Sequence, residues 1–239
     1  MDRSGAWLGV QTHPGWPVTA ELHCSAVLFD LDGVLVRSTD SVRRSWTEWA
    51  RRQGLDPELV LAASSGVRSA DTIRQVAPSL DAVAEAARLE AAQAVDVTDV
   101  VAVPGAAALL DGLTRPEWAV VTSGTKPLAA ARLRAAGLAA PEVLVTAERV
   151  ERGKPDPAGY MLAARLLGTS PGDCIVVEDA EAGVEAGRRA GMRVIGVADG
   201  HGSAHLAGAD LVVESLADLG VTGRSDDGFL IRITRTDGL

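Results

Sequence analysis

The chain is poor in the residues that would tie it to an oxidising compartment, a membrane or a nucleic acid. Only two cysteines occur in 239 residues, Cys24 and Cys174, far apart and without metal-ligand spacing. That excludes a disulfide framework and fits a reducing compartment. No apolar run reaches the length of a membrane span. Residues 1–24 hold Asp2, Pro14, Pro17 and Glu21 but no continuous apolar core, so no secretory leader is expected. The formal net charge of -9 argues against a nucleic-acid partner, whose phosphate backbone rewards a basic face. A small phosphate-bearing ligand stays open, because a metal ion and one or two local cations can reverse the sign at a site. Lysine is scarce: Lys126 and Lys154 are the only two, and every other cation is an arginine. A cytoplasmic protein without a nucleic-acid or membrane partner is expected.

What is present is ordinary in amount, with 47% hydrophobic and 23% charged residues, enough for one core or one core and a small accessory domain. Its organisation turns on Ala26-Val27-Leu28-Phe29-Asp30-Leu31-Asp32-Gly33-Val34-Leu35. Four apolar residues run into two carboxylates one residue apart, and a glycine follows where a strand must break. Such a run reads as a buried strand of a parallel sheet. The carboxylates then sit at its C-terminal edge, where open α/β sheets bind ligands. Paired carboxylates there can hold a hard divalent cation or divide attack and proton transfer between them. A calcium loop of the EF-hand kind would need further oxygen ligands, which Arg37, Ser38 and Thr39 do not supply. A plain turn built on Asp and Gly is the structural alternative.

Residues 1–24 show no clear period and read as a loose extension, with Trp7 and Trp16 as groups that could instead dock on the surface. From Ser38 the spacing becomes helical, with Val42, Trp46, Trp49 and Ala50 on one face. Further helices are predicted at about 57–63, 69–77 and 80–95, so 38–97 forms an all-helical unit inserted after the first strand. Strands are then predicted at 118–122, 142–145, 174–177, 194–197 and 211–213, alternating with helices. That alternation means βαβ units and a mostly parallel sheet over 25–37 and 98–219. The tail, 220–239, looks loose, although Phe229–Ile233 could form an edge strand.

Three more strand ends carry polar groups. Thr122-Ser123-Gly124-Thr125 offers hydroxyls and N–H groups at a helix start, which suit an anionic oxygen. Gly153-Lys154-Pro155-Asp156-Pro157 places a lysine before another helix, and Glu178-Asp179 is a second acidic pair after an apolar run. Each has a plain structural reading: Ser123 as a helix cap, Lys154 as a solvated chain, Glu178 and Asp179 as partners of a helix dipole. Their joint occurrence, each after a predicted strand, points to one site holding a cation, an anion and a nucleophile.

In this order the four segments resemble the motifs of the haloacid dehalogenase-like hydrolase superfamily, over about residues 25–219. The resemblance implies an α/β fold: a Rossmann-like, mostly parallel sheet core with an inserted all-helical cap domain at 38–97. It implies that Asp30 attacks phosphorus and that Asp32 protonates the leaving group and then activates water. Ser123 would bind a phosphoryl oxygen, with Gly124 and Thr125 beside it, and Lys154 would neutralise charge. Mg²⁺ would be held by Asp30, Asp32 through its carbonyl, Asp179, and Glu178 directly or through water. Arg68 and Asp71, in the loop of the insertion, would reach substrate hydroxyls; an ion pair within the insertion is the alternative.

The variant chemistries separate on single residues. Dehalogenases of the superfamily need no second acid where Asp32 stands, and phosphonate cleavage uses a cap lysine, of which 38–97 has none. Phosphomutases resembling beta-phosphoglucomutase carry a histidine where this chain has Val42. The expectation is a Mg²⁺-dependent phosphatase acting on a small sugar or polyol phosphate, as a monomer or weak homodimer. A sugar phosphomutase or a non-catalytic phosphate-binding module are the alternatives. Arg37 departs from the acidic residue common among relatives, just where the chain enters the insertion.

Overall fold

Strands of consecutive apolar residues cannot lie at a wet surface, and in the computed structural model they stack side by side under helices. The structure describes residues 18–114, 116–200 and 202–235. In chain order the strands and helices begin with β1 (Val18–Cys24), β2 (Ala26–Phe29) and β3 (Val36–Arg37). Four helices follow: α1 (Thr39–Gln53), α2 (Pro57–Ser64), α3 (Ser69–Val76) and α4 (Ala82–Val95). Then come β4 (Val101–Ala102), α5 (Ala106–Gly112), β5 (Trp118–Val121), α6 (Lys126–Ala135), β6 (Val143–Val145) and α7 (Ala158–Leu167). The chain continues through β7 (Cys174–Glu178), α8 (Glu181–Arg189), β8 (Arg193–Val197), β9 (Leu211–Val213), β10 (Leu219–Ser225) and β11 (Gly228–Arg235). Among the described residues no helix is long and apolar enough to cross a membrane.

The main sheet has six strands in the order β6-β5-β2-β7-β8-β9, and every neighbouring pair is parallel. The chain builds β5 and β6 on one side of β2, then returns to build β7, β8 and β9 on the other. That reversal opens a crevice outside the carboxyl ends of β2 and β7. Asp30 follows β2 directly and Glu178 ends β7, so topology alone brings the two acidic segments together. One apolar cluster packs on each face of the sheet: Val27, Phe29, Val120 and Ile175 on one, Leu28, Val121, Tyr160 and Val176 on the other.

The helices α1–α4 have an apolar cluster of their own, including Trp46, Trp49, Val60, Ile73 and Leu89. Trp46 and Trp49 meet edge to face with centroids 5.5 Å apart, and the Trp49 indole N–H donates to Glu85 at 3.0 Å. Local chemistry sets the boundaries: Gly54 ends α1 in the left-handed conformation, and Asp56 and Asp81 cap α2 and α4. β3 and β4 pair as a two-stranded antiparallel ribbon, so the chain leaves and re-enters the core at one place. There Arg37 bonds both carboxylate oxygens of Asp199, tying the ribbon to the loop after β8.

Two expectations need correction. Residues 18–24 are not a loose extension, and 219–235 are not a loose tail. β1 pairs antiparallel with β11, which pairs with β10, and Phe229–Ile233 therefore lies in the central strand of a three-stranded sheet instead of at an edge. The cause is a period of two: Ala20, Leu22 and Cys24 alternate with Glu21 and His23, Phe229, Ile231 and Ile233 share one face of β11 with Leu230 and Arg232 on the other, and all six join the main core. Residues 1–17, with Trp7 and Trp16, lie outside the described residues.

Both cysteines are buried, and burial pushes each thiol up to about 12. At pH 8 the native protein is therefore expected to resist iodoacetamide, while the denatured chain takes up two equivalents, as read by mass spectrometry. Labelling of the native protein at the rate of a free thiol would place either cysteine at the surface.

Candidate active site

The buried acids are brought together by two glycines. The side chains of Asp30, Glu178 and Asp179 each offer an oxygen, and these oxygens lie within 4.8 Å of one another. A Cβ on Gly33, whose φ is +85°, would sit 1.8 Å from Asp179 Oδ2, and one on Gly183 would sit 1.8 Å from Glu178 Oε1. Any other residue at either position would push a carboxylate out of the cluster.

A single cation faces these carboxylates. Lys154 is buried, with its Nζ 2.5 Å from Asp30 Oδ1 and 2.6 Å from Glu178 Oε1. Glu178 Oε1 also accepts the Tyr160 hydroxyl at 2.6 Å, and Oε2 accepts the N–H groups of Asp179 and Ala180 at 3.1 and 3.4 Å. Its four acceptor positions are thus filled, and Glu178 serves to hold Lys154. Asp30 and Asp179 keep oxygens to spare. Burial alone would lower the Lys154 pKa, but Asp30 and Glu178 outweigh it and hold the ammonium protonated well above its usual range. Burial raises the Asp30 carboxyl to about 7 against the pull of Lys154. Burial, then Asp30 and Glu178, raise Asp179 well above the carboxylate range. One ammonium does not offset two buried carboxylates and the half-buried Asp179 beside them, and the remaining deficit with its oxygen-only donor set fits a hard divalent cation.

Asp32 is separate from this cluster. Its Oδ1 accepts the Ser38 hydroxyl at 2.6 Å and its Oδ2 accepts Arg132 Nη1 at 2.5 Å. Arg132, buried on α6, also donates to Gln93 Oε1 on α4 at 3.0 Å, and its Nε has no partner. Asp32 is thereby held in place by a core helix, which is itself joined to the inserted helices.

The remaining candidates are distributed unevenly. Ser123 lines the cavity, with its hydroxyl donating to the Gly66 carbonyl at 2.9 Å. The N–H of Gly124 donates to the Thr122 hydroxyl at 3.1 Å and that of Thr125 to Glu90 Oε2 at 2.8 Å, so neither amide is free for a ligand. Arg68 and Asp71 are not brought to the cavity. Arg68 Nε pairs with Asp71 at 2.6 Å, and its Nη1 donates to the carbonyls of Val150 and Glu151 at 3.2 and 3.1 Å. The ion pair within the insertion takes both side chains, because the loop presses on the core closely enough for Arg68 to lie over Gly153. The cavity itself measures about 360 Å³ and is closed over by Trp46, Leu61, Glu90 and Gln93 of the inserted helices. That is the size of a small-molecule site.

Arg132, Glu90, Gln93 and Tyr160 escaped the reading of the sequence. A signal existed for the first three. Arg132 shares a buried stripe with Leu128, Ala129 and Leu133, and Glu90 and Gln93 continue the stripe of Ala82, Ala86 and Leu89. A charged or amide side chain in an apolar stripe needs a buried partner.

A family model described as haloacid dehalogenase-like hydrolase matches residues 24–191. Hexitol phosphatase A of Escherichia coli is 46% identical over 216 residues, 88% of this chain and 100% of that protein. The 2-deoxyglucose-6-phosphate phosphatase 1 of Saccharomyces cerevisiae is 32% identical, covering 90% of this chain and 97% of the relative. The crystal structure of a hydrolase from Pseudomonas syringae superimposes with a TM-score of 0.71 at 26% identity, over 81% of this chain and 95% of the other.

With Asp30 and Asp179 both raised by burial, the folded chain holds protons that the unfolded chain releases. The Asp30 contribution to stability is full below the ordinary value of 3.8 and is lost as pH rises through about 7, and that of Asp179 runs in the same direction. Millimolar Mg²⁺ is therefore expected to raise the melting temperature by several degrees at pH 7.5 and by far less at pH 5. An equal shift at both pH values would place the ion away from these carboxylates.

Proposed function

Because the chain belongs to the haloacid dehalogenase-like hydrolases, we propose that it is a Mg²⁺-dependent phosphatase acting on a small sugar or polyol phosphate through an aspartyl-phosphate intermediate. The observation that carries the reading is the division of labour between two acids two residues apart. Asp30 is buried and bound to Lys154 beside Asp179, whereas Asp32 is held apart by Ser38 and Arg132 at the cavity wall. The names of the relatives, a hexitol phosphatase and a 2-deoxyglucose-6-phosphate phosphatase, support the same substrate class.

An Asp30 carboxylate oxygen attacks phosphorus as the ester oxygen leaves, and Asp32, entering the step protonated on the oxygen that otherwise accepts the Ser38 hydroxyl, delivers that proton to the leaving oxygen. Water then attacks the aspartyl phosphate while Asp32 accepts its proton, which releases phosphate and restores Asp30. Lys154 keeps Asp30 oriented and offsets the charge gathering on the phosphoryl oxygens, and Ser123 can turn its hydroxyl from Gly66 to one of them. Held by Asp30, Asp179 and the carbonyl of Asp32, Mg²⁺ would add positive charge beside the same oxygens. Residues 38–97 act as a cap. Its contacts to the core through Gly66, Arg68, Glu90 and Gln93 hold it against the mouth of the cavity.

Phosphate release from a panel of sugar, polyol and nucleoside monophosphates, with Mg²⁺ and with chelator, tests the reading. Metal-dependent release peaking on a few sugar or polyol phosphates is expected, and isomerised hexose 1-phosphate without release would instead make the protein a mutase. Asp30→Asn should cut release by ~1,000-fold or more with the melting temperature within a few degrees of the parent; retained activity would remove Asp30 as nucleophile. Arg68→Ala, which loosens the cap without touching the cavity, should lower activity on polyol phosphates and on an aryl phosphate by similar factors. A loss confined to polyol phosphates would return Arg68 to substrate recognition.

A further inference from the structure

The buried stripe of α4 passes from Ala82, Ala86 and Leu89 into Glu90 and Gln93, which are 4% and 3% exposed and line the cavity. Glu90 uses one oxygen, Oε2, to accept the Thr125 N–H at 2.8 Å. Its Oε1 has no hydrogen-bond partner and is not sealed from the cavity, and among the described residues no cation pairs with this carboxylate. The cationic side chains lining the same cavity are engaged elsewhere: Arg132 with Asp32 and Gln93, Arg43 with Glu58. Gln93 gives its carbonyl oxygen to Arg132, which leaves its NH₂ as a donor on the same cavity-lining face of α4 as Glu90.

We propose that Glu90 selects the non-phosphate end of the substrate, accepting hydrogen bonds from the hydroxyls of a neutral polyol tail and rejecting tails that carry a second phosphate or a carboxylate. The proposal rests on the phosphatase reading above and narrows its substrate class. A hydroxyl gives a proton to the carboxylate and takes one from the Gln93 amide, so a polyhydroxylated chain satisfies both groups. A second anion beside Glu90 meets a like charge, with Arg132 already committed to Asp32 and Gln93 and Arg43 paired with Glu58. Capping α6 through the Thr125 N–H accounts for one oxygen of Glu90, and an uncharged glutamine would serve that purpose equally.

The test is calorimetric binding to the full-length Asp30→Asn protein in Mg²⁺, which reads affinity without turnover. The probes are a hexitol 6-phosphate and a hexose 1,6-bisphosphate. The hexitol phosphate is expected to bind ~10-fold or more tightly than the bisphosphate. Adding Glu90→Gln, which keeps an acceptor for Thr125, should shrink that ratio by ~10-fold or more, and Glu90→Met provides a second uncharged variant should the first fold poorly. An unchanged ratio, or binding of neither probe, overturns the proposal. Phosphate release by the unmutated protein, measured in parallel, separates the two readings. Release with an unchanged ratio removes only the role of Glu90, whereas selective binding without release removes only the phosphatase.

Discussion

The Lys154 ammonium wedged between Asp30 and Glu178 is the interaction on which the site depends. Two buried carboxylates at the ends of adjacent parallel strands would repel one another, and either alone would carry a desolvation cost of several kcal/mol. Lys154 answers both. Tyr160 and two backbone amides then complete Glu178, and Gly33 and Gly183 give up their side chains so that the acids can approach. Glu178 is a support for the lysine, the lysine a support for Asp30, and the charge left over on Asp30 and Asp179 suits a hard divalent cation.

A different set of polar contacts joins the inserted helices to this centre. Arg132 connects Asp32 to Gln93, and Glu90 connects α4 to the start of α6. The groups that join α4 to the core are therefore groups that also line the cavity. Removing α4 from the core would take the acceptor from Thr125 and a partner from Arg132 together. Arg37, bonded to Asp199, ties the ribbon of β3 and β4, where the chain enters and leaves the inserted helices, to the loop after β8.

The three-stranded sheet of β1, β11 and β10 does none of this chemistry, yet it seals the core. Phe229, Ile231 and Ile233 pack with Leu109, Leu110 and Leu113, and Arg224 pairs with Glu117 while bonding the Gly112 carbonyl. Strands from opposite ends of the chain thus cover the face of the main sheet on which α5 lies, burying apolar surface that α5, a helix of only seven residues, leaves open.

Much of the fold and the motif residues was legible in the sequence because the signals are local. Four apolar residues followed by Asp30 mark a strand and its polar end within five positions, and the same holds for Val121, Thr122 and Ser123 and for Val177, Glu178 and Asp179. Gly54 marks the end of α1 and Pro57 the start of α2. What the tertiary structure alone decided depends on partners distant in sequence. Arg68 could have faced a ligand or Asp71, and the approach of its loop to Val150 and Glu151 made it a latch. β1 became a strand because β11, some 200 residues later, offers its edge. Arg132 and Glu90 read as helix residues until Asp32, 100 positions away, and Thr125, 35 positions away, meet them. A sequence names the chemistry a residue carries, but which charge is answered and which is left facing a cavity is settled only when the chain has brought its distant segments into contact.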